Sequence, residues 1–143
     1  MEEVINLSES SYIIDCNVAI KWFLIKEEDS NSALILLQRA KEREIVLFAP
    51  GIILIEFGNV LTKHNRHNPT FKNDLTRYYQ TFIALCNKKV LNLILLENEK
   101  QNILNLAFEE KISYFDAEYL YLAQELKINL ITYDKHLSKI TNR

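Results

Sequence analysis

The chain has 143 residues, of which 48% are hydrophobic and 25% are charged, and its formal net charge is −2. This length and apolar content indicate one globular domain with a core of its own. The balanced charge lacks the strong basic excess that would by itself indicate nucleic-acid binding. Cys16 and Cys86 form no CxxC pair, and no apolar run reaches the roughly 18 residues that a membrane helix needs. We therefore expect a soluble, cytoplasmic protein that does not enter the membrane.

Short apolar strands alternate with longer helices along the chain. Residues 1–11 are polar and partly acidic, unlike a signal peptide, and we expect a flexible segment there, followed by a single domain over 12–143. The patterns predict strands at 12–14, 45–48, 93–95 and 129–131. They predict helices at 18–24, 30–43, 50–64, 70–86, 97–110, 114–126 and 135–140, with Pro50 in a first helical turn and a polar turn at 64–70. This alternation predicts an α/β fold, with a parallel sheet of four to five strands flanked by helices on both faces.

Four acidic residues are expected near the carboxyl edge of that sheet, where α/β proteins gather their functional groups. Asp15 directly follows the first strand, and Asp134 comes just after the last. Glu56 and Asp116 fall within the apolar stripes of their helices, in line with apolar neighbours three and four residues away. The pattern therefore predicts that four carboxylates converge.

Each of these acids also has a purely structural interpretation. Asp15 could cap the helix that follows it, and Asp134 could be a turn residue. Glu56 could be a buried acid paired with a lysine, and Asp116 could be an ordinary residue of a first helical turn.

The conjunction of the four acids favours a functional cluster. Converging carboxylates repel one another and need shared protons or a cation. Oxygen-only ligands suit Mg²⁺ or Mn²⁺, and these ions stabilise charge on a phosphoryl oxygen. The cluster therefore indicates metal-assisted hydrolysis of phosphodiesters.

At these positions the chain resembles the PIN-domain family, and within it the VapC-type toxin ribonucleases. The resemblance rests on four segments in order: IIDCNVAIKWFL, APGIILIEFGNVL, ISYFDAEYLYLAQEL and INLITYDKHL. It implies a PIN-like sheet flanked by helices and an acidic pocket that binds one or two Mg²⁺ or Mn²⁺ ions. Only nine residues follow Asp134, where the family usually has a further strand, so we expect that edge strand to be short or absent.

The resemblance also implies an activity, partners and residue roles. It implies an endoribonuclease that cleaves RNA, acts as the toxin of a type II toxin–antitoxin pair with a cognate antitoxin protein, and forms a homodimer. Asn17 and Thr132 match polar positions that would orient the carboxylates or water. The family's acidic positions, expected to bind the metal and support catalysis, are matched by Asp15, Glu56, Asp116 and Asp134.

Basic residues gather around the predicted turn at 64–70. A solvated loop is the structural interpretation, and contact with substrate phosphates is the functional one. Lys63 and Arg66 of this cluster, and Lys21 beside the first motif, are candidate substrate-binding residues. Trp22 is expected in the core or at a dimer surface rather than as a platform for base stacking. The whole cluster comprises Lys63, His64, Arg66, His67, Lys72 and Arg77.

Three other functions stay open. A catalytically inactive PIN-like module would bind RNA or a protein partner without cleaving. An RNA-processing nuclease would share the chemistry but would not be a toxin. A phosphoacceptor receiver domain is also an α/β protein with an aspartate at a strand end, but it would want an acidic pair after the first strand, where Asp15 stands alone.

Overall fold

The computed structural model describes residues 10–24 and 30–141. Four parallel strands form one sheet in the order β3-β2-β1-β4. This confirms the predicted parallel α/β sheet. After the last strand the described chain forms a helix and not a fifth strand. The strands are β1 (Ser11–Ile14), β2 (Val46–Pro50), β3 (Leu91–Ile94) and β4 (Asn129–Ile131).

Seven α-helices flank the sheet within the described residues, and a short 3₁₀ helix at Pro69–Phe71 joins two of them. None of these helices is both long enough and apolar enough to cross a membrane. Residues 1–9 of the predicted flexible segment lie outside the described part of the chain. The α-helices are α1 (Cys16–Ile20), α2 (Ser30–Lys41), α3 (Ile53–His67), α4 (Lys72–Asn87), α5 (Lys100–Glu110), α6 (Tyr114–Leu126) and α7 (Lys135–Thr141).

Several predicted boundaries differ from the structure by two to four residues, as for α1, α5, β3 and both ends of α3. Pro50 does not begin a helix; it ends β2, paired with Ile94, and the next amide, of Gly51, donates to the Ile94 carbonyl at 2.9 Å. A proline is tolerated there because a strand end does not need its missing N–H. Helix α3 continues through most of the predicted polar turn and ends at His67. It stops there because the proline after Asn68 disfavours helical backbone at Asn68, whose φ is −150°.

The strand order places helices on both faces of the sheet, as predicted. The chain moves outward from β1 to β3 and then crosses back to β4, and right-handed crossovers put the two sets of helices on opposite faces. On one face α3 packs against α1 and α4. On the other, α6 packs against α5 and also against β1, β2 and β4.

The main core lies between the sheet and these helices. Phe57 of α3 and Phe82 of α4 are fully buried, with ring centroids 4.2 Å apart in a stacked pair. Trp22 is buried beside Phe82, and its indole N–H donates to the Ala33 carbonyl at 2.8 Å. Trp22 is therefore a core residue, which was one of the two locations predicted for it.

Candidate active site

Four helices begin at the carboxyl edge of the sheet. Helices α1, α3 and α7 each follow a strand directly, so each starts where that strand ends. Helix α6 precedes β4 and runs back along the sheet, so its N-terminus lies at the same edge. Each helix N-terminus carries partial positive charge, which favours carboxylates there.

Asp15 occupies the centre of this edge. Ile14 of β1 pairs with Ile131 of β4, so the next residues, Asp15 and Thr132, are neighbours across the two strands. The Thr132 hydroxyl donates to Asp15 Oδ2, and the Val18 amide donates to Asp15 Oδ1 at 3.1 Å. Asp15 is buried and caps α1, so its structural interpretation is correct.

Asp134 is tied to Asp15 through Thr132. The Asp134 amide donates to the Thr132 hydroxyl at 3.0 Å, and Asp134 Oδ1 accepts from the Leu137 amide at 3.0 Å. Asp134 therefore caps the first turn of α7. These contacts leave Oδ2 of Asp134 unused by the helix cap, so the carboxylate can still take part in a site.

Glu56 and Asp116 lie in the first turns of α3 and α6. The Asp116 amide donates to the Ser113 hydroxyl at 3.0 Å, and this cap sets where α6 begins. Glu56 Oε1 is buried and has no hydrogen-bond partner among the described residues. The expected alternative, a buried Glu56 paired with a lysine, is therefore not what the described residues form.

Electrostatic effects link the four carboxylates. Burial raises the pKa of Asp15 to about 6, the hydrogen bonds from Thr132 and Val18 oppose the rise, and the charges of Asp116 and Glu56 add to it. Burial raises the pKa of Glu56, the nearby Tyr119 hydroxyl opposes the rise, and the charge of Asp116 adds to it. Burial also raises the pKa of Asp116, as does the charge of Asp134. The fold thus brings the four predicted acids within electrostatic reach of one another.

Two further residues at this edge were not predicted. Tyr119 is buried with its hydroxyl near Glu56, and burial with the Glu56 charge raises the pKa of Tyr119, which keeps it protonated. Its position three residues after Asp116 was a usable signal, because i and i+3 share a helix face. Glu118 is buried, with Oε2 lacking a hydrogen-bond partner among the described residues, and its charge raises the pKa of Glu56. Glu118 gave no such signal in the sequence, because residues i and i+2 do not lie on the same face of a helix.

A cavity of about 390 Å³ adjoins the acidic cluster and includes Asp134 in its wall. Two predicted site residues, the exposed Asn17 and the buried Lys21, also line it. Lys63 and Arg66 are exposed on α3 outside this lining, so their contact with substrate stays a prediction.

The oxygen donors suit a hard divalent cation, and a buried carboxylate oxygen without a partner at Glu56 is a place where one would bind. Within residues 10–24 and 30–141, no three Asp, Glu, His or Cys side chains are close enough to hold an ion together. Mg²⁺ fits this arrangement, since it usually keeps several waters and takes one or two carboxylates directly. Asp15, Glu56, Asp116 and Asp134 are the residues that could hold it.

Comparison with known proteins agrees with this architecture. The chain is similar to PAE2754 from Pyrobaculum aerophilum, whose crystal structure superposes with a TM-score of 0.71 at 20% identity, covering 92% of this chain and 80% of that one. At that identity the likeness concerns the fold. No curated protein matches the sequence. The PIN domain family model matches residues 12–142. This chain therefore belongs to the PIN domain family, whose members are usually nucleases.

Proposed function

We propose that the protein is a metal-dependent endoribonuclease. The observation that carries this proposal is the set of four carboxylates at one sheet edge. Three of these carboxyl groups have raised pKa values, and one buried oxygen has no hydrogen-bond partner in the described part of the chain. Such a set is unfavourable without a cation. Its placement at the carboxyl ends of parallel strands is where α/β enzymes bind substrate.

In this proposal the four acids hold Mg²⁺ or Mn²⁺. Asp15, Asp116 and Asp134 bind it directly or through water, and Glu56 binds it or a second ion. When bound, the metal supplies positive charge that stabilises the phosphoryl oxygens and lowers the pKa of water. Thr132 keeps the Asp15 carboxylate in place, and Asn17 orients water at the cavity side.

An acid of the cluster also accepts the proton of the attacking water. A carboxylate with a raised pKa is a better proton acceptor near neutral pH than an ordinary one. Glu56, whose pKa is raised by burial, meets that condition when it is not itself a ligand of the ion. Water then attacks the phosphodiester in line and gives a proton to the carboxylate, the P–O3′ bond breaks, and the leaving O3′ takes up a proton from solvent. The products are a 3′-hydroxyl and a 5′-phosphate.

Cleavage of total RNA tests this activity. Purified protein would be incubated with Mg²⁺, with Mn²⁺ or with EDTA, beside Asp116→Asn and the control Glu125→Gln, an exposed acid near the end of the same helix. We expect cleavage that needs the metal, is lost in Asp116→Asn and is kept in Glu125→Gln. Folded protein that never cleaves RNA would instead support the inactive RNA- or protein-binding module.

We further propose that the protein acts in the cytoplasm as the toxin of a type II toxin–antitoxin pair, as a homodimer inhibited by a cognate antitoxin. Expression in a bacterial host should then arrest growth, and co-expression of the protein encoded by the adjacent gene should relieve the arrest. RNA cleavage without growth arrest would favour an RNA-processing nuclease. Light scattering would measure the oligomeric state.

A further inference from the structure

The cavity beside the acidic cluster has features that the proposed chemistry does not use. Its volume, about 390 Å³, lies at the lower end of the range for small-molecule sites, which begins at about 300 Å³. It is separate from the buried oxygens of Asp15 and Glu56 but shares Asp134 with their cluster. Its other polar lining residues are Asn17, Lys21, His64 and Tyr133.

Lys21 is held in one place at the wall of this cavity. It is the one lysine or arginine in the described part of the chain that is buried, at 7% exposure. Its Nζ lies over the Tyr133 ring, 5.3 Å from the centroid. The Tyr133 hydroxyl shares a hydrogen bond of 2.7 Å with Ser32 of α2, so the ring itself is fixed from a second side. A cation held this way loses little side-chain entropy when it binds an anion.

One short segment, residues 132–134, contacts both Lys21 and the acidic cluster. Thr132 points to Asp15, the next residue supports Lys21, and the one after that is Asp134. A bound metal would neutralise the phosphodiester being cut, but the neighbouring phosphate would still face a cluster of carboxylates. A fixed ammonium beside that neighbouring phosphate would offset the repulsion.

We infer that this cavity is a subsite for one nucleotide of single-stranded RNA next to the cleaved bond, with Lys21 binding its phosphate and His64 assisting at the rim. The inference rests on the proposed ribonuclease function. Because one face of the Tyr133 ring is covered by Lys21, the ring positions the cation and does not offer that face to a base. Recognition here is therefore of the backbone and independent of base identity.

RNA binding without cleavage tests the subsite. A fluorescein-labelled RNA hexamer would be titrated with protein in Ca²⁺ and in EDTA, and anisotropy would be followed at several salt concentrations. The variants are Lys21→Gln, Lys21→Arg, His64→Ala and the control Lys41→Gln. Lys41 is exposed in the last turn of α2, just before β2 begins, and so lies at the opposite edge of the sheet.

We expect Lys21→Gln to weaken binding about tenfold and to lower the slope of log Kd against log salt by about 0.7, the value for one lost single-strand phosphate contact. Lys21→Arg should keep most of the affinity and the slope, and Lys41→Gln should match wild type. The phosphates of the hexamer would then be replaced one at a time by a neutral methylphosphonate. At one position the replacement should weaken RNA binding by the wild-type protein but not by Lys21→Gln. If Lys21 had only a structural role, Lys21→Gln would be as sensitive as the wild-type protein to loss of that phosphate charge.

The outcomes separate the subsite from the proposed function. Equal binding by Lys21→Gln and Lys41→Gln, in a protein that binds and cuts RNA, would overturn the subsite alone. Failure of the wild-type protein to bind or cut any RNA would overturn both. If Lys21→Gln does not fold, His64→Ala decides the matter, since His64 is exposed and its loss should still weaken binding about threefold.

Discussion

At the scale of single residues, three of the four acids serve the fold and the candidate site together. Asp15 and Asp134 accept backbone N–H groups at the starts of α1 and α7, and Asp116 lies in the first turn of α6. Each carboxylate oxygen has two lone pairs, so a carboxylate that accepts a hydrogen bond at a helix start can still bind a ligand. The structural and functional interpretations of these residues are therefore compatible, which a sequence pattern cannot show.

Asp15→Asn should remove activity and yet make the metal-free protein less sensitive to pH. The folded-state pKa of about 6 exceeds the ordinary 3.8, so the folded protein binds more protons than the unfolded chain between those values. The free energy of unfolding should therefore fall by about 2 kcal/mol from this group as pH rises from 4.5 to 7.5. Urea unfolding in EDTA at pH 4.5 and 7.5 measures the difference.

The matched control for this experiment is Asp74→Asn, which changes a partly exposed surface carboxylate paired with Arg77 on α4. It should follow the wild-type pH dependence, whereas Asp15→Asn should show a smaller decline. A wild-type stability that does not fall over this range would contradict the buried, high-pKa state of Asp15.

Thr132→Val should destabilise the protein by about 1–3 kcal/mol, because it leaves a buried carboxylate oxygen and the Asp134 amide without their shared hydroxyl. Thr132→Ser keeps the hydroxyl, so its free energy of unfolding should fall much less. Thermal or urea unfolding of both variants compares them. RNA cleavage should fall more in the valine variant, and equal stability of the two would argue against this bridge.

At the scale of elements, the starts of helices decide where the acids lie. The N-cap of α6 is Ser113, whose hydroxyl accepts from the Asp116 amide. Helices α1 and α7 begin with the acids themselves as caps. Because every one of these helices starts at the carboxyl edge, a capping carboxylate automatically faces the same region. The parallel topology therefore assembles the cluster.

Ser113→Ala should cost about 1 kcal/mol through loss of the α6 cap, and Ser113→Asn should cost less because an amide oxygen can replace the hydroxyl. Urea unfolding measures both. Since α6 carries Asp116, cleavage should fall in Ser113→Ala and recover in Ser113→Asn. An alanine variant as stable and active as wild type would show that the cap contributes nothing to the site.

At the scale of the whole molecule, the folded state gathers negative charge that the unfolded chain disperses. The protein has a net charge of only −2, yet four carboxylates share one sheet edge and Glu118 is buried nearby. Repulsion within this cluster opposes folding in the absence of a cation. A ligand that binds only the folded state stabilises it by mass action.

Mg²⁺ should therefore stabilise the protein at pH 7.5. At a concentration one hundred times its Kd, the ion should add about 2.7 kcal/mol to the free energy of unfolding and raise Tm by several degrees. Asp116→Asn should show a smaller increase, and Glu125→Gln the full one. A Tm that is the same in Mg²⁺ and in EDTA would count against a cation site at this edge.

Sequence patterns were enough to predict the class of fold and to single out four acids near one edge of the sheet. Alternating apolar strands and helices are local patterns, so the strand at Asn129–Ile131 and the helix at Tyr114–Leu126 were predicted at the bounds observed. The convergence of Asp15 and Asp134 followed from topology, because the strands that precede them are parallel and end at the same edge of the sheet. Pro50 was misplaced because a proline at a strand end and one in a first helical turn look alike without the pairing partner.

The contacts that surround those acids could not be predicted from sequence patterns. The bond from Thr132 to Asp15 depends on the register between β1 and β4, and the burial of Glu118 depends on how α6 packs. Lys21 lies over Tyr133 across a separation of more than one hundred residues. Such contacts arise from the docking of elements that are distant in the chain, and side-chain burial and pKa values follow from that docking. Periodicity records which face of an element is apolar, but not which side chain of another element meets it.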